Sequence, residues 1–544
     1  MSSDASTLPL RDAPGGSPTV RRGLLVRRAR ALVGTDEHAW IGAACLIVLV
    51  LCSLFVVLIA ANRPSILSAT SHAHYFPHWM AGPLGGLLPW LTRNNTTLKY
   101  WFSGAIVLMY VSYAAGLVFV PRLRARWAIA TVLAVHLVFL FSPPLALTDI
   151  FNYVNYGRME IVHGLNPYTT IPILEPHNDP SYDLSNWHQL LSPYGPLFTI
   201  ITFAFVPLGV AASFWVIKML LAAASLGTIL LIWKCARLLG RDPVKAIVLV
   251  GLNPIVLVWG LGGDHNDFLM VFLVVLGFYL LLRARRRDHD SLGEDGTGGA
   301  FAPAPPPALP ASLAAVRAAV AEVPLRQRLR EWLLPLSWPE IGAGAALVAA
   351  VAVKASGAVL IPVVLAGLLR MPRRLTQVVL GMTLSCATVA AASLIAFGLH
   401  VPDLSTQSRL VTSVSVPNLI GLALGQGGET DWLHTLLSAT LIVAVALCCA
   451  QAWRRRSPIT AAGWSSVALL VTLSWVLPWY VLWVLPMAAL SSSRRLRATA
   501  LVLGVYLIIA WAPASGQLWN AIGFHPEKTS LGRLHQRYVR ELLN

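Results

Sequence analysis

The stretch LTDIFNYVNYGR, residues 147–158, places one Asp, two Asn, two Tyr and an Arg directly after the apolar run 127–145. Asp149 falls within about one helical turn of the end of that run, behind the helix-breaking Ser142, Pro143 and Pro144. A carboxylate at such a boundary is partly desolvated yet still reached by water, which suits a general base; a helix cap or an ion pair with Arg158 is the structural alternative. Tyr153 and Tyr156 follow four and seven residues later and share a helix face with Asp149. Asn166 and Tyr168 then flank Pro167 in a turn. Tyrosine rings stack on sugars and amides hydrogen-bond to their hydroxyls, so this group suits a carbohydrate. The forked charge of Arg158 suits a phosphate.

Five further segments carry polar residues at the ends of apolar runs or within them. SPYGPL, with Tyr194, closes the polar stretch, and the apolar run 198–206 behind it is too short to span and reads as a re-entrant or interfacial helix. GLGGDHNDF turns between two apolar runs and presents Asp264, His265, Asn266 and Asp267. Two readings of that turn are open: the carboxylates and imidazole hold a divalent cation, or they hydrogen-bond sugar hydroxyls. Lys354 stands at the tip of the tight hairpin VAVKASGAV and needs a partner, for which an anionic headgroup serves. Lys218 lies roughly two turns inside an apolar run, where it either meets a phosphate or snorkels to the interface. Trp479 and Tyr480, in WVLPWYVLW broken by Pro478, are either interfacial belt or pocket wall.

The elements that must position these residues are helices in a bilayer. Of the 544 residues, 56% are hydrophobic and 12% charged, with mean hydropathy +0.66. That composition defines an all-α polytopic membrane protein and excludes a water-soluble one. At ~20 residues per span the chain accommodates about thirteen, from 40–61 to 498–511. The first follows 39 mostly polar residues and so reads as a true span rather than a cleaved leader. The net charge of +17 falls in short Arg/Lys clusters between the apolar runs, which reads as topology and not as a nucleic-acid face. With this span count every cluster lies on one side, so the N-terminus is inside and the carboxylate-bearing loops face out. The six cysteines lie in apolar runs without metal or redox spacing.

The organisation expected is a basic cytoplasmic tail (1–39), a first bundle (40–287) with an external catalytic loop (146–209), a cytoplasmic linker and interfacial helix (288–339), a second bundle (340–512) and an external tail (513–544). The basic residues of that tail suit anionic lipid.

Asp149, the segment 156–169, SPYGPL, GLNPIVLVWGLGGDHND over 251–267, VKAS and PWYVLW, in this order and on one side, resemble the polyprenol-phosphate-mannose-dependent α-(1,6)-mannosyltransferases of actinobacteria. The resemblance runs from about residue 40 to 511. It implies a GT-C-type bundle in the plasma membrane with helices of the external loop forming the active site, and inverting transfer of mannose. The implied partners are a polyprenyl-phosphate-mannose donor and an external glycan or glycolipid acceptor of lipomannan type. Asp149 is then the catalytic base, and Arg158, Lys354 and Lys218 meet the donor phosphate. Tyr153, Tyr156, Asn166, Tyr168, Tyr194, the 264–267 turn, Trp479 and Tyr480 contact sugars. With three cations at the phosphate no metal is required, a divalent cation at the turn being the alternative. Two rivals stay open, a pentose-transferring enzyme of the same fold and a lipid-linked sugar transporter or flippase. The transporter would carry polar residues on both faces and inverted repeats.

Overall fold

In the computed structural model the described residues are 38–63, 77–88, 90–91, 94–145, 149–291, 336–455 and 458–543. Among them there is no strand, as a bilayer demands of any chain that is not a closed barrel. The N-terminal tail, most of the 288–339 linker and the expected interfacial helix lie outside the described residues.

The first bundle holds α1 (Ala39–Asn62), α2 (Asn95–Phe119), α3 (Ala125–Leu140), α4 (Asp149–His163), α5 (Pro196–Phe203), α6 (Gly209–Leu238), α7 (Pro243–Gly251) and α8 (Asp267–Ser291). The second holds α9 (Trp338–Val353), α10 (Leu360–Leu368), α11 (Pro372–Phe397), α12 (Val416–Ala423), α13 (Asp431–Arg455), α14 (Pro458–Thr472), α15 (Leu485–Leu490) and α16 (Arg494–Trp511). Two further helices, α17 (Ser515–Ala521) and α18 (Ser530–Leu543), complete the chain. Their starts are set by local chemistry: Asn94 caps α2 by accepting from Thr96 and Thr97 N–H, and Asp242 caps α7 ahead of Pro243.

Six of the described helical stretches are long and apolar enough to cross a membrane, and a seventh joins them if α16 and α17, bent by 79°, count as one. Five more apolar helices are shorter, α3, α9 and α14 among them. The chain is therefore a polytopic helical membrane protein. The run 198–206 belongs to α5, which continues through a single 3-10 turn at Val206–Leu208 into α6; together they form a 43-residue apolar stretch, Pro196–Leu238.

The two bundles are sewn together at α9, which packs between α8 and α11. Small residues permit the approach. A Cβ added to Gly344 would lie 2.0 Å from the Val378 carbonyl oxygen, and one added to Gly381 would lie 1.9 Å from that of Ile341. Backbone contact of this kind is how helices associate where no hydrophobic drive separates protein from lipid. It also fixes Lys354, the residue that ends α9.

One end of the bundle collects arginines. Arg241, Lys245, Arg494 and Arg497 surround one cavity beside the end of α2, and Arg370 lies 4.6 Å over the Trp453 ring. The other end, called here the loop end, carries residues 164–195, the turn before α8, Lys354 and a 3-10 segment, Pro478–Trp483, that packs on the π-helical Val256–Leu261. Residues 513–544 do not trail away as a tail. The Gln189 N–H donates to the Leu542 carbonyl at 3.1 Å, and Leu542 joins Leu190 and Leu410 in a small apolar core, because the strongly two-faced α18 has an apolar side to bury.

Gly381→Ala should lower the thermal midpoint of the detergent-solubilised protein, overpacking at such a contact costing about 1–3 kcal/mol. An unchanged midpoint would show that α9 and α11 do not meet at this glycine.

Candidate active site

Asp149 is the first residue of α4. The Leu145 N–H donates to the Gly262 carbonyl at 2.7 Å, which ties the end of the Ser-Pro-Pro segment to the turn that leads into α8. That turn has no room for side chains: a Cβ on Gly263 would lie 2.2 Å from the Trp259 carbonyl oxygen and 2.5 Å from His265 Nε2. The following Asp264 adopts φ 58°, a left-handed conformation that Asp tolerates better than most residues. The reversal sends successive side chains of the turn to different partners.

Asp264 turns to α6, where Lys218 Nζ donates to both its carboxylate oxygens at 2.9 and 2.8 Å. Both side chains are almost fully buried, so Lys218 neither snorkels nor stands free for a phosphate. His265 turns to α4, with Nδ1 3.2 Å from Asp149 Oδ2, and its ring lies flat on Trp479, centroids 3.4 Å apart at 8°. The Asn266 N–H donates to the Tyr153 hydroxyl at 3.2 Å. Asp267 opens α8 and receives three donors: Lys354 Nζ at 2.7 Å, Trp479 Nε1 at 3.2 Å and Trp483 Nε1 at 2.6 Å. Lys354 also stands 5.1 Å over the Tyr480 ring, itself stacked on Trp483. An unbroken chain of contacts thus runs Asp149, His265, Trp479, Asp267, Lys354.

Beside this chain of contacts, both side-chain polar atoms of Asn266 and the Nε2 of His265 are buried without a hydrogen-bond partner, while His265 Nδ1 faces Asp149. Buried polar groups are nearly always satisfied, and exceptions concentrate where a ligand completes them. Asp149, by contrast, keeps 16% of its side chain exposed, and Lys354 keeps 22%. The arrangement offers an accessible carboxylate and an accessible ammonium at the two ends of a buried aromatic wall, with hydrogen-bonding capacity between them.

The other residues picked out in the sequence divide. Tyr153 is buried in this group and packs edge-on to Tyr194 and Phe198. Tyr156 donates to the Leu190 carbonyl at 2.7 Å and so anchors the loop. Asn166 caps its own turn by accepting from the Tyr168 N–H and donates to the Phe397 carbonyl at the end of α11. Tyr168 packs on Phe397 and donates to the Tyr194 carbonyl. Asn166 and Tyr168 hold the loop against α11, Tyr156 ties it to α4, and all three lie outside the Asp149 chain of contacts.

Arg158 is also outside it. Nine residues beyond Asp149, it stands on the opposite face of α4 and about 14 Å along the axis. Its Nε and Nη2 grip Asp179 at 2.8–3.1 Å, and His163 adds a contact to the same carboxylate at 2.8 Å. Burial works to raise the Asp179 pKa, but hydrogen bonds from Arg158, Ser181 and His163 outweigh it and hold the carboxyl below the usual range. Neighbouring Glu175 goes the other way: burial pushes it up to about 7, the Asn155 amide and the Arg158 charge offsetting only part.

No sequence signal marked the part played by Gly195. Its N–H donates to the Val353 carbonyl at 3.1 Å, and an added Cβ would lie 2.1 Å from the Ala352 oxygen. The SPYGPL glycine therefore clamps the loop onto the end of α9, one residue from Lys354. Trp483 was likewise passed over, although it follows Trp479 by four residues and shares its carboxylate. The two carboxylates of the turn serve different lysines, and among the described residues no group of three His, Cys, Asp or Glu side chains is placed to hold a metal ion.

The fold is that of a polytopic helical membrane protein whose polar centre is built from helix ends. Residues 39–370 match the family described as "Alpha-(1->6)-mannopyranosyltransferase, N-terminal domain", and residues 411–526 match "MptB C-terminal domain". The chain belongs to the alpha-(1->6)-mannopyranosyltransferase family, and as a member it is a glycosyltransferase. It is 28% identical to "Alpha-(1->6)-mannopyranosyltransferase A" of Mycobacterium tuberculosis over 404 residues, covering 69% of this chain and 67% of that one. A further alpha-(1->6)-mannopyranosyltransferase of the same organism is 27% identical over 419 residues, 69% and 68% of the two chains. "Alpha-(1->6)-mannopyranosyltransferase A" of Corynebacterium glutamicum is 29% identical over 165 residues, 28% of this chain and 32% of that one. The chain thus spans about two thirds of the mycobacterial relatives and about one third of the corynebacterial one. No solved structure matches it.

Because folding holds a proton on Glu175, that contribution is fully present below its ordinary pKa of 4.5 and is lost as pH rises through about 7. The Asp179 contribution is present above its ordinary value of 3.8 and is lost as pH falls through lower values. Protection of residues 172–188 from hydrogen exchange should therefore decline between about pH 5 and about pH 7.5, and Glu175→Gln should flatten that decline. An unaltered pH profile in the variant would remove Glu175 as its source.

Proposed function

We propose that the protein transfers mannose from a polyprenyl-phosphate-mannose donor to a hydroxyl of a glycan or glycolipid acceptor, extending α-(1→6)-linked, lipomannan-type chains at the outer face of the plasma membrane. In this reading the loop end faces out, the N-terminus lies inside, and the helices form a GT-C-type bundle of about thirteen spans, several of them short or broken. The observation that carries it is the chain of contacts from partly exposed Asp149 through His265, Trp479 and Asp267 to partly exposed Lys354, with the side-chain amide of Asn266, in the same turn, unpartnered.

Asp149 acts as general base. It takes the proton from the acceptor hydroxyl as that oxygen bonds to the anomeric carbon, while the carbon–oxygen bond to phosphate breaks and the electron pair leaves with the polyprenyl phosphate. Attack from the face opposite the phosphate inverts configuration, so an α-linked product requires a β-configured donor. Lys354, with one ammonium hydrogen on Asp267 and room for other partners, meets the charge that develops on the departing phosphate. Arg158, gripped by Asp179, instead orders the loop, and Lys218 fixes the turn through Asp264. His265 and Asn266 hydrogen-bond sugar hydroxyls, with Trp479 and Tyr480 behind them as the buried wall that holds His265 and Lys354 in place. The balance of charge is supplied by these side chains, so transfer is metal-independent.

The test is transfer of radiolabelled mannose from synthetic polyprenyl-phosphate-mannose to an alkyl α-mannoside in detergent. Asp149→Asn should lower kcat by roughly 10²–10⁴-fold with donor affinity retained, the range typical of a lost general base. Excess EDTA should leave the wild-type rate unchanged. Undiminished turnover by Asp149→Asn removes it as base, and transfer from a pentosyl donor in place of the mannosyl one overturns the choice of sugar.

A further inference from the structure

A second cavity opens at the loop end, away from Asp149. It encloses about 720 Å³ between the 411–414 segment, the end of α16, α17 and the C-terminal helix α18. Three indoles, Trp475, Trp511 and Trp519, line it, together with His535, Gln536 and Arg540 from α18. All three indoles are partly exposed. The floor is rigid: the Thr412 N–H donates to the Ser474 carbonyl at 2.9 Å, and the Val476 N–H donates to Thr412 Oγ1 at 3.3 Å. The wall is rigid too, because α18 is bonded to the loop that leads to Gly195 through Gln189 and Leu542.

Trp475 is also four residues before Trp479, the ring on which His265 stacks. Four extended residues span at most about 14 Å, so the cavity begins within that distance of the catalytic wall and on the same end of the bundle. Its lining is mixed in a particular way: three indoles stand beside His535, Gln536 and the opposite charges of Glu527 and Arg540, with no single-sign charge that would select a phosphate or a polyanion. Burial keeps His535 below its ordinary pKa, and a neutral imidazole can both donate and accept. Flat apolar rings flanked by donors and acceptors match a carbohydrate, which presents C–H faces and a rim of hydroxyls; a lipid tail offers nothing to hydrogen-bond to His535, Gln536 or Arg540.

We propose that this cavity is a distal acceptor subsite that holds already-built α-(1→6)-linked mannose units of the growing chain while the terminal hydroxyl reaches Asp149. The inference rests on the transfer reaction proposed above. It makes the enzyme an elongating one, because occupying both places requires an acceptor of several residues, and it gives the C-terminal helix the task of closing the groove.

The experiment uses the full-length protein in detergent with two acceptors, an alkyl α-mannoside and a linear α-(1→6)-mannohexaose, and the variants Trp519→Ala and Gln536→Ala. Trp519→Ala should raise KM for the hexaose about five- to tenfold, the size expected for loss of one ring contact, with kcat unchanged. It should leave KM and kcat for the alkyl mannoside as in wild type, which also reports that the variant is folded. Gln536→Ala should shift the same way by a smaller factor. Equal losses with both acceptors, or no change with the hexaose, overturn the subsite. Equilibrium dialysis of the labelled hexaose separates this inference from the transfer reading. If wild type transfers mannose to neither acceptor, the transfer reading fails, yet hexaose binding that Trp519→Ala weakens still supports the subsite. Wild type that binds no hexaose overturns it.

Discussion

The carboxylate of Asp267 is the point on which the site depends. It is fully buried at the start of α8, where the helix N-terminus favours negative charge. Its three donors come from three pieces of chain: Lys354 ends α9, while Trp479 and Trp483 come from the broken segment after α14. One side chain therefore joins the two halves of the chain. Orientation of the Trp479 ring, which Asp267 fixes through Nε1, in turn fixes the plane on which His265 lies and so the position of His265 against Asp149. A neutral residue at 267 would leave an ammonium and two indole N–H groups without their acceptor, a costlier state than losing the interaction alone.

Two buried lysine–aspartate pairs flank the turn, and they do different work. Lys218 with Asp264 is closed to water on both sides, and such a pair contributes little net stability once desolvation is counted, but it defines a geometry. Here the geometry is the left-handed residue that points His265 and Asp267 apart. Lys354 with Asp267 is sealed only on the acid side, so the lysine can exchange partners. The contrast between a closed pair and a half-open one distinguishes the cation that builds the turn from the one able to receive an anion.

Much of this was legible in the sequence, and the failures have a common cause. Helix ends with polar residues stand out in a chain that is 12% charged, so Asp149, the 264–267 turn, Lys354 and Trp479 are picked out by their types and places alone, and the structure brings them into contact with one another. Arg158 was misplaced because type alone made it a phosphate ligand. Helical arithmetic set it opposite Asp149, but nothing in the sequence could show that Asp179, twenty-one residues on, would fold back to grip it. Tyr156, Asn166 and Tyr168 were read as sugar contacts for the same reason, since a residue able to bind a hydroxyl is equally able to bind a carbonyl. Gly195 carried no signal at all: its need is a backbone contact with α9 more than 150 residues away in sequence. The short helices α3, α9 and α14 and the broken 478–490 stretch blur a span count made on length, because helices shielded by others need not match the bilayer one by one.

The unpartnered atoms of His265 and Asn266 bear on selectivity. A buried polar group without a partner costs about 1–3 kcal/mol, and the turn carries several at once, held in place by packing that cannot relax: Gly263 has no space behind it, and Trp479 is fixed by Asp267. A sugar whose hydroxyls meet these atoms recovers that cost on binding. One that lacks a hydroxyl at the matching position displaces water and restores nothing. Discrimination of this kind penalises deoxy sugars more steeply than it distinguishes ring substituents added in open space. In the transfer reaction proposed above, rigidity of the turn, which looks like a structural matter of glycines and a left-handed aspartate, is therefore what gives a row of hydrogen-bonding groups its preference.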